Sequence, residues 1–368
     1  MKSGLPRAAA SVFLLLAAFP ARLAWPATVE LTNPATAICI TDPKAVFTVE
    51  KGALRPVLGE FAIFTAGMLP LRLSTNVASG SAPGQIARLY VWSVEPLDAV
   101  SAQVSASGGN AVAEASGFRA SFSGTREMWA VLLGIPAGSA PRGYTLRLSA
   151  SAGPRTFLLL QPFTIQKRTF RFERISLTKE LSLLLTAPDP RKTAESRSLA
   201  LMLATPHPDA LYETGAFLDP LPGARRTAGY GDRREYAYSD GSSSFSIHEG
   251  IDIATPTGTP VPACGRGRVV FAGQRILTGN SVVIEHLPGL FSLYYHLSAL
   301  VAKQGEVVER GQIIGLSGMT GFATGPHLHW EVEASGIAVD PDALASGPLL
   351  DKSPDFIDIG SSQSTEGR

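Results

Sequence analysis

The chain has 368 residues, of which 36 are glycine and 27 are proline, and only 17% of its residues are charged. The formal net charge is +1 without any block of like charges, so the composition does not indicate a nucleic-acid-binding surface. The length is sufficient for two domains. Because abundant glycine and proline are typical of short strands joined by many turns, we predict an all-β protein.

Residues 1–27 have the features of a secretory signal peptide. Lys2 and Arg7 form a basic start, and the twelve residues 8–19 are an apolar run. A membrane-spanning helix needs about 20 apolar residues, so this run is short for a span. We therefore expect export to the periplasm or cell envelope, with no stable membrane insertion after the signal is removed. An uncleaved anchor is the alternative.

Residues 28–172 are predicted to form an immunoglobulin-like β-sandwich. Short segments of strand-like composition recur there, and turn signals such as Gly108-Gly109-Asn110 separate some of them. The candidate strands are 87–94, 100–106, 118–123, 128–133, 144–149 and 156–161. Repeated short strands over about 140 residues are typical of this sandwich. The region has no catalytic constellation, so we assign it a positioning or binding role.

The two cysteines, Cys39 and Cys264, lie in different predicted domains. Export would permit a disulfide. Their separation, and the apolar strand-like surroundings of Cys264, instead favour two unpaired, buried thiols. No Cys-x-x-Cys motif is present, so a cysteine-ligated zinc site is not indicated.

Residues 173–215 are predicted to be a linker that contains one short helix, over 191–204. Thr193 and Ser196 give only part of a capping pattern at its start, and Pro206 and Pro208 are expected to end it. The next region, 216–348, again favours strands, at 266–272, 281–286, 290–297, 313–317 and 327–333. The polar residues 349–368 are predicted to be a disordered tail.

Within this second β region, four of the six histidines of the chain form one metal-site-like set, together with an aspartate at a suggestive spacing. These four are His248, His296, His327 and His329. His327 and His329 share one face if their segment is a strand. His248 and Asp252 would lie about 13 Å apart in an extended chain, so the chain must bend between them to use both on one metal. Gly250 is the residue best able to allow that bend. The glycine and β-branched residues there disfavour a helix, and a bent strand is predicted.

Two histidines and one aspartate are a ligand set typical of catalytic zinc, with a fourth position left for water. Zn²⁺ lowers the pKa of bound water and polarises a carbonyl. Hydrolysis also needs a base and an oxyanion donor. His296 and the non-ligand member of the pair His327 and His329 are the candidates. The spacing alone leaves open which of these two binds metal.

From about residue 221 to 341, roughly a third of the chain, the sequence resembles the lysostaphin/LytM-type zinc endopeptidases, which cut peptidoglycan peptides. The similarity runs through 230–234, 248–254, 256–261, 267–270, 283–286, 294–298, 311–315 and 324–329. It implies a small antiparallel β peptidase domain with Zn²⁺ in an open groove. It also implies that His248, Asp252 and His329 are the metal ligands, and that His296 and His327 are the two assisting catalytic histidines.

The resemblance implies a substrate among peptidoglycan stem peptides or cross-bridges, and no nucleic-acid partner. An exported β-sandwich before the peptidase also resembles the layout of bacterial envelope members. All five site positions are filled, as in active members. The alternatives are a non-catalytic module that binds the cell wall or activates other hydrolases, and a peptidase that acts on another protein. We also hypothesise, from position alone, that segment 173–225 or the sandwich restricts access to the groove.

Other residues of the second region receive structural roles. His286 lies outside the set of five and is expected to pack or form hydrogen bonds. Trp330 should point away from the two histidines that flank it. One of Tyr294 and Tyr295 should face the core by strand alternation. Glu331 is not assigned as a general base, because no His-Glu-x-x-His motif is present.

Overall fold

The computed structural model describes residues 80–93, 96–106, 110–120 and 127–350 in full, and the backbone of six strands between residues 29 and 75. The predicted signal peptide and the side chain of Cys39 lie outside the described residues. Cys264 is buried and forms no disulfide within the described part. No helix in that part is long and apolar enough to cross a membrane. The all-β prediction is confirmed, since strands dominate and the described helices are short.

The first part of the chain forms two main β-sheets. Its strands are β1 (Val29–Glu30), β2 (Thr36–Ile40), β3 (Val46–Glu50), β4 (Ala53–Leu58), β5 (Phe61–Thr65), β6 (Leu71–Thr75), β7 (Gly80–Ser81), β8 (Ile86–Ser93), β9 (Ala99–Ser105), β10 (Ala111–Ser116), β11 (Phe118–Arg119), β12 (Glu127–Gly134), β13 (Arg142–Ala152) and β14 (Arg155–Ile165). One sheet has the order β10-β9-β13-β14-β2-β5, with β7 beside β14. The other has the order β11-β12-β8-β6, and β1, β4 and β3 form a small third sheet. Each of the six predicted strands overlaps an observed strand.

Both faces of β8 and β12 are buried. On one face, Leu89 and Val131 pack into a core that also contains Leu146 and Leu148 of β13. The opposite faces of β8 and β12 belong to a second core, which is shared with the C-terminal part of the chain. This double burial explains why β12 is an almost continuous apolar run and does not alternate with polar residues. The immunoglobulin-like assignment stays a prediction.

The predicted helix of the linker is confirmed as α2 (Pro190–Leu203). Its start differs from the expectation, because the cap is Asp189 and not a residue near Thr193. The Asp189 side chain accepts from the backbone N–H of Arg191 (2.9 Å), and proline occupies the first helical position. A second helix and a strand, α1 (Lys179–Thr186) and β15 (Phe172–Ser176), were not predicted.

The C-terminal part contains a large antiparallel sheet. Its strands are β16 (Arg226–Ala228), β17 (Arg233–Ala237), β18 (Ser243–Ile247), β19 (Gly250–Ala254), β20 (Pro260–Pro262), β21 (Gly267–Arg275), β22 (Gly279–Leu287), β23 (Leu290–Leu297), β24 (Ala299–Leu300), β25 (Val307–Val308), β26 (Ile313–Leu316), β27 (His327–Ala334) and β28 (Ile337–Val339), followed by α3 (Pro341–Ala345). The main sheet has the order β16-β19-β27-β23-β22-β21-β25, with β28 beside β27. Two smaller sheets have the orders β15-β17-β18 and β20-β26-β24, so the linker strand β15 joins the C-terminal part directly.

The two faces of the main sheet have different neighbours. Trp330 and Val332 of β27 face the core shared with the sandwich, where Leu132 of β12 also packs. Phe291 and Leu293 of β23 face the other side and pack against α2. His327 and His329 alternate with Leu328 and Trp330, so they lie on the α2 side. Among the described residues of the two segments hypothesised to restrict access, α2 of the linker packs on the face that carries the histidines, and β12 packs on the opposite face.

The predicted tail begins too early. Leu349 and Leu350 are each 1% exposed and belong to the shared core. Their backbone N–H groups donate to the carbonyl of Thr214. The tail assignment is therefore wrong for these two residues, because apolar burial and backbone pairing hold them. Residues from 351 onward lie outside the described part of the chain.

Replacing Leu203 by alanine is expected to lower the free energy of unfolding by about 2–5 kcal/mol. Leu203 is 5% exposed and packs with Phe291, Leu293 and Tyr295, so its truncation leaves a cavity beneath α2. Leu201 lies on the same helix but is 66% exposed, so Leu201→Ala is the matched control, with an expected change within about 0.5 kcal/mol. Urea denaturation measures both. Equal effects would show that α2 is not packed on the sheet.

Candidate metal centre and active site

Two paired strands place two of the predicted metal ligands face to face. β19 and β27 run antiparallel, with Asp252 directly opposite His329. Directly opposed residues of an antiparallel pair have Cβ atoms about 4.5–5.5 Å apart. His327 precedes His329 by two positions on the same strand and lies on the same face. The register of this strand pair therefore gathers three of the five predicted site residues.

His248 reaches the same point from the connection between β18 and β19. β18 ends immediately before His248, and β19 begins two residues after it, so His248 lies in the break between the two strands. Its backbone N–H donates to the carbonyl of Asp232 (2.9 Å), and its own carbonyl accepts from the N–H of Gly231 (2.7 Å). No helix lies between His248 and Asp252, as predicted, and two strands take the place of one bent strand.

Gly250, the first residue of β19, permits a close approach to the neighbouring strand. Among the described glycines, it is not one with a left-handed backbone. A Cβ atom at Gly250 would lie 2.5 Å from the carbonyl oxygen of Trp330 and 2.7 Å from Nε2 of His329. A larger residue would therefore displace the His329 ring or the strand that carries it.

Three donor atoms converge beside these strands. Nε2 of His248 lies 3.1 Å from Oδ1 of Asp252 and 3.0 Å from Nδ1 of His329, and the latter two atoms are 2.9 Å apart. The three residues are only 4–8% exposed. Ligand atoms of tetrahedral zinc, each about 2.0–2.2 Å from the metal, are about 3.3–3.5 Å from one another. The spacing is therefore close to that of three protein ligands of one small cation.

Hydrogen bonds on the far side of each imidazole set which nitrogen faces the centre. Nδ1 of His248 lies 2.8 Å from the carbonyl oxygen of Gly229, and Nε2 of His329 lies 3.2 Å from Oε2 of Glu331. These oxygens accept hydrogen bonds, so the N–H of each neutral imidazole lies there and the lone pair of the other nitrogen points at the centre. Two such lone pairs and the Asp252 carboxylate repel one another, and a positive charge between them offsets this repulsion.

The pKa values of His329 and Asp252 show the same preference for a positive charge beside the carboxylate. Burial lowers the pKa of His329, but the Asp252 and Glu331 carboxylates outweigh it and raise that pKa to about 9. Burial acts to raise the pKa of Asp252, yet its close contacts with the His248 and His329 imidazoles hold it well below its ordinary value. Asp252 is therefore ionised at neutral pH. A metal ion at this centre would displace a proton from Nδ1 of His329.

Two side chains that the sequence analysis did not assign to the site contact the triad. Glu331 contacts His329, as described above, and Nη2 of Arg234 lies 2.5 Å from Oδ2 of Asp252. Burial acts to lower the pKa of Arg234, but the Asp252 carboxylate raises it overall. The alternation of β27 could have identified Glu331, which follows His329 by two positions. Arg234 comes from a different sheet, and no local pattern connects it to Asp252.

The two remaining predicted residues lie next to the triad. The ring centroids of His296 and His327 are 4.7 Å apart, and that of His296 is 6.2 Å from that of His329. Nε2 of His327 lies 3.6 Å from Oδ1 of Asp252. The side chain of His327 is 15% exposed, slightly more than those of the triad. The structure thus brings all five predicted residues into one group.

His296 is held in an uncommon backbone conformation at the end of β23. Its φ is 61°, a left-handed value that costs a non-glycine residue of order 1–3 kcal/mol and is often found at functional sites. Its backbone N–H donates to the carbonyl of Thr278, and its Nδ1 to the carbonyl of Thr320, both at 2.8 Å. Burial and the neighbouring His327 and His329 lower its pKa to about 3, so this imidazole is neutral at pH 7.

A cavity of about 540 Å³ lies between α2 and the sheet. Leu199 and Leu203 line its helical side, while Tyr295 and Glu331 line its sheet side. The ring of Tyr295 stacks on that of His329, with centroids 5.2 Å apart and planes at 9°. Two residues that contact His329, Tyr295 and Glu331, therefore line a space between the sheet and α2.

The expected structural roles of the other residues are confirmed. His286 is fully buried, and its two ring nitrogens bond a backbone carbonyl and a serine hydroxyl. Trp330 faces the shared core, away from the flanking histidines. Tyr294 lies in the same core, whereas Tyr295 faces the site.

Comparison with known proteins identifies the domain that carries this site. Residues 246–341 match the sequence model of "Peptidase family M23". The DD-carboxypeptidase/endopeptidase Mpg of Neisseria meningitidis serogroup B is 40% identical over 136 residues, which are 37% of this chain and 30% of that protein. The peptidoglycan DD-endopeptidase ShyA of Vibrio cholerae is 48% identical over 93 residues, which are 25% of this chain and 22% of that protein.

Among solved structures, the catalytic domain of the antimicrobial peptidase lysostaphin from Staphylococcus simulans is 34% identical. The match covers 32% of this chain and 90% of that chain, with a TM-score of 0.29. The chain spans less than a third of the length of the two curated relatives. The segment that carries the three donor residues and both further histidines is therefore a peptidase family M23 domain, of a family of metallopeptidases.

Proposed function

We propose that this protein is a zinc-dependent endopeptidase that hydrolyses peptide cross-links of bacterial peptidoglycan. The observation that carries the proposal is the convergence of the donor atoms of His248, Asp252 and His329 within 3.1 Å of one another. The relatives named as peptidoglycan DD-endopeptidases support the choice of substrate.

His248, Asp252 and His329 would hold the zinc ion. Their N₂O donor set suits Zn²⁺, and the structure has outer partners for each ligand, in Gly229, Arg234 and Glu331. When bound, zinc supplies Lewis acidity that activates water and polarises the scissile carbonyl.

His296 and His327 would handle the water and its proton. Their Nδ1–H groups are used on the carbonyls of Thr320 and Gly325, each at 2.8 Å, so each neutral ring has a free lone pair on Nε2. His296, whose pKa is about 3, stays neutral and accepts a hydrogen bond from the attacking water at Nε2. His327 takes the proton at Nε2 and, once protonated, donates to the oxyanion and then to the leaving amine.

The same proposal places the protein outside the cytoplasm. Peptidoglycan lies in the cell envelope, and the features of residues 1–27 are those of an export signal. We therefore propose a periplasmic or envelope location, with the signal followed by the β-sandwich (28–172), the linker (173–215) and the peptidase domain (216–348).

The substrate class is tested by parallel digestion of purified peptidoglycan and of an unrelated unfolded protein with the zinc-loaded chain. We expect mass spectrometry to detect peptides released from wall cross-links, and no cleavage of the protein. Cleavage of the protein alone would show a peptidase with another substrate. No cleavage of either substrate would favour a module that binds the wall or activates other hydrolases.

A further inference from the structure

We infer that Arg234 is a positioning residue of the metal centre, which holds one carboxylate oxygen of Asp252 so that the other faces the two histidines. The inference rests on the proposed function, because it concerns the same zinc site. Arg234 lies within the resemblance at 230–234 but precedes residues 246–341, which match the family model. It is not one of the five site residues that the resemblance implies.

The two oxygens of Asp252 have separate partners. Oδ2 lies 2.5 Å from Nη2 of Arg234, while Oδ1 lies 2.9 Å from Nδ1 of His329 and 3.1 Å from Nε2 of His248. The side chains of Arg234 and Asp252 are only 12% and 11% exposed. A carboxylate without a partner on Oδ2 could rotate or present both oxygens to a cation. The planar guanidinium removes that freedom.

Arg234 is itself held by strands on both sides. It lies in β17, opposite Glu173 of the linker strand β15 and opposite Ser246 of β18. Tyr236 follows by two positions on the same face, and its ring packs edge-on against Phe322, with centroids 5.3 Å apart. The linker therefore supports the strand that presents Arg234, in addition to covering the sheet with α2.

The cost of burying Arg234 indicates that its role is the contact with Asp252. Nε of Arg234 is buried and has no hydrogen-bond partner among the described residues. A buried donor without a partner costs about 1–3 kcal/mol. One donor of the guanidinium is thus left unpaired, while the ion pair that Arg234 forms among the described residues is with a metal-ligand carboxylate.

The direction of the change in zinc affinity on replacing Arg234 distinguishes a positioning role from a purely electrostatic one. A cation beside the centre repels a bound metal ion, so the loss of the Arg234 charge alone would strengthen zinc binding. The loss of a group that orients a ligand weakens binding instead, by about 10–100-fold for outer partners of metal ligands. The two explanations therefore predict opposite changes in affinity for the same substitution.

The test measures zinc affinity of the full chain by competition with a chelator, without any cell-wall substrate. We expect Arg234→Gln to bind zinc about 10–100-fold more weakly than the wild type, and Arg234→Lys, which keeps the charge, to lie between them. Arg233→Gln is the matched control. Arg233 is the neighbouring residue on β17 and contacts the carbonyl of Ala137 (2.7 Å), so the same charge is removed away from Asp252.

The visible spectrum of the cobalt-substituted protein gives a second readout. It should differ from the wild-type spectrum in Arg234→Gln and match it in Arg233→Gln. Unchanged or tighter zinc binding in Arg234→Gln, or an equal loss in Arg233→Gln, would overturn the inference. If the wild type binds no zinc, the proposed function fails and the inference fails with it. If the wild type binds zinc but Arg234→Gln does not bind it more weakly than the wild type and Arg233→Gln, the inference alone fails.

Discussion

His329→Ala is expected to abolish both zinc binding and turnover. The substitution removes one of three donor atoms, and it also leaves the buried Glu331 carboxylate without its imidazole partner. Loss of an outer partner already costs about 10–100-fold in metal affinity, so loss of a direct ligand should exceed about 100-fold. Zinc content after dialysis, together with the rate of peptidoglycan cleavage, measures both effects.

The control for this variant is His207→Ala. His207 lies in the linker and is exposed, so its removal takes away a histidine from outside the group of five. It should retain zinc and turnover at wild-type levels. A His329→Ala protein that keeps one equivalent of zinc at wild-type affinity would exclude His329 from the ligand set.

His327→Ala is expected to retain zinc and to lose turnover by about 10²–10⁴-fold, the contribution typical of a general acid–base group. Nε2 of His327 lies 3.6 Å from Oδ1 of Asp252, beside the triad and outside its closest contacts. The three donor atoms therefore remain in place when the ring is removed. Zinc stoichiometry and kcat on the same preparation separate this outcome from that of His329→Ala.

Two other results would change the role of His327. Cleavage at the wild-type rate would show that the ring takes no part in proton transfer. Loss of zinc along with activity would place His327, and not only His329, among the ligands. The spacing of the two histidines in the sequence allowed either assignment, because i and i+2 share one face of a strand.

Strand geometry could predict only part of the candidate site, and the division of the five residues into ligands and assisting histidines came from the family resemblance. The alternation of 327 and 329, and the need for a bend between 248 and 252, follow from backbone dimensions alone. The close approach of Gly250 to His329 could not be predicted, because it depends on the pairing of β19 with β27, which local sequence does not reveal.

The contact between Arg234 and Asp252 could not be predicted for the same reason. Arg234 meets Asp252 only once β17 is placed beside the main sheet, and β17 is flanked by a linker strand, β15, that is parallel to it. Parallel pairing of distant segments leaves no turn signal in the sequence. Helix α1 was also missed, although Thr178 caps it by accepting from the N–H of Leu181 (3.3 Å).

The most direct measurement of the central claim is a zinc titration of the metal-stripped full chain, with the rate of cross-link release from purified peptidoglycan followed by mass spectrometry. We expect no release without metal, and a rate that rises in proportion to bound zinc and saturates at one zinc per chain. Release that is independent of zinc, or saturated binding of one zinc without any release, would contradict it.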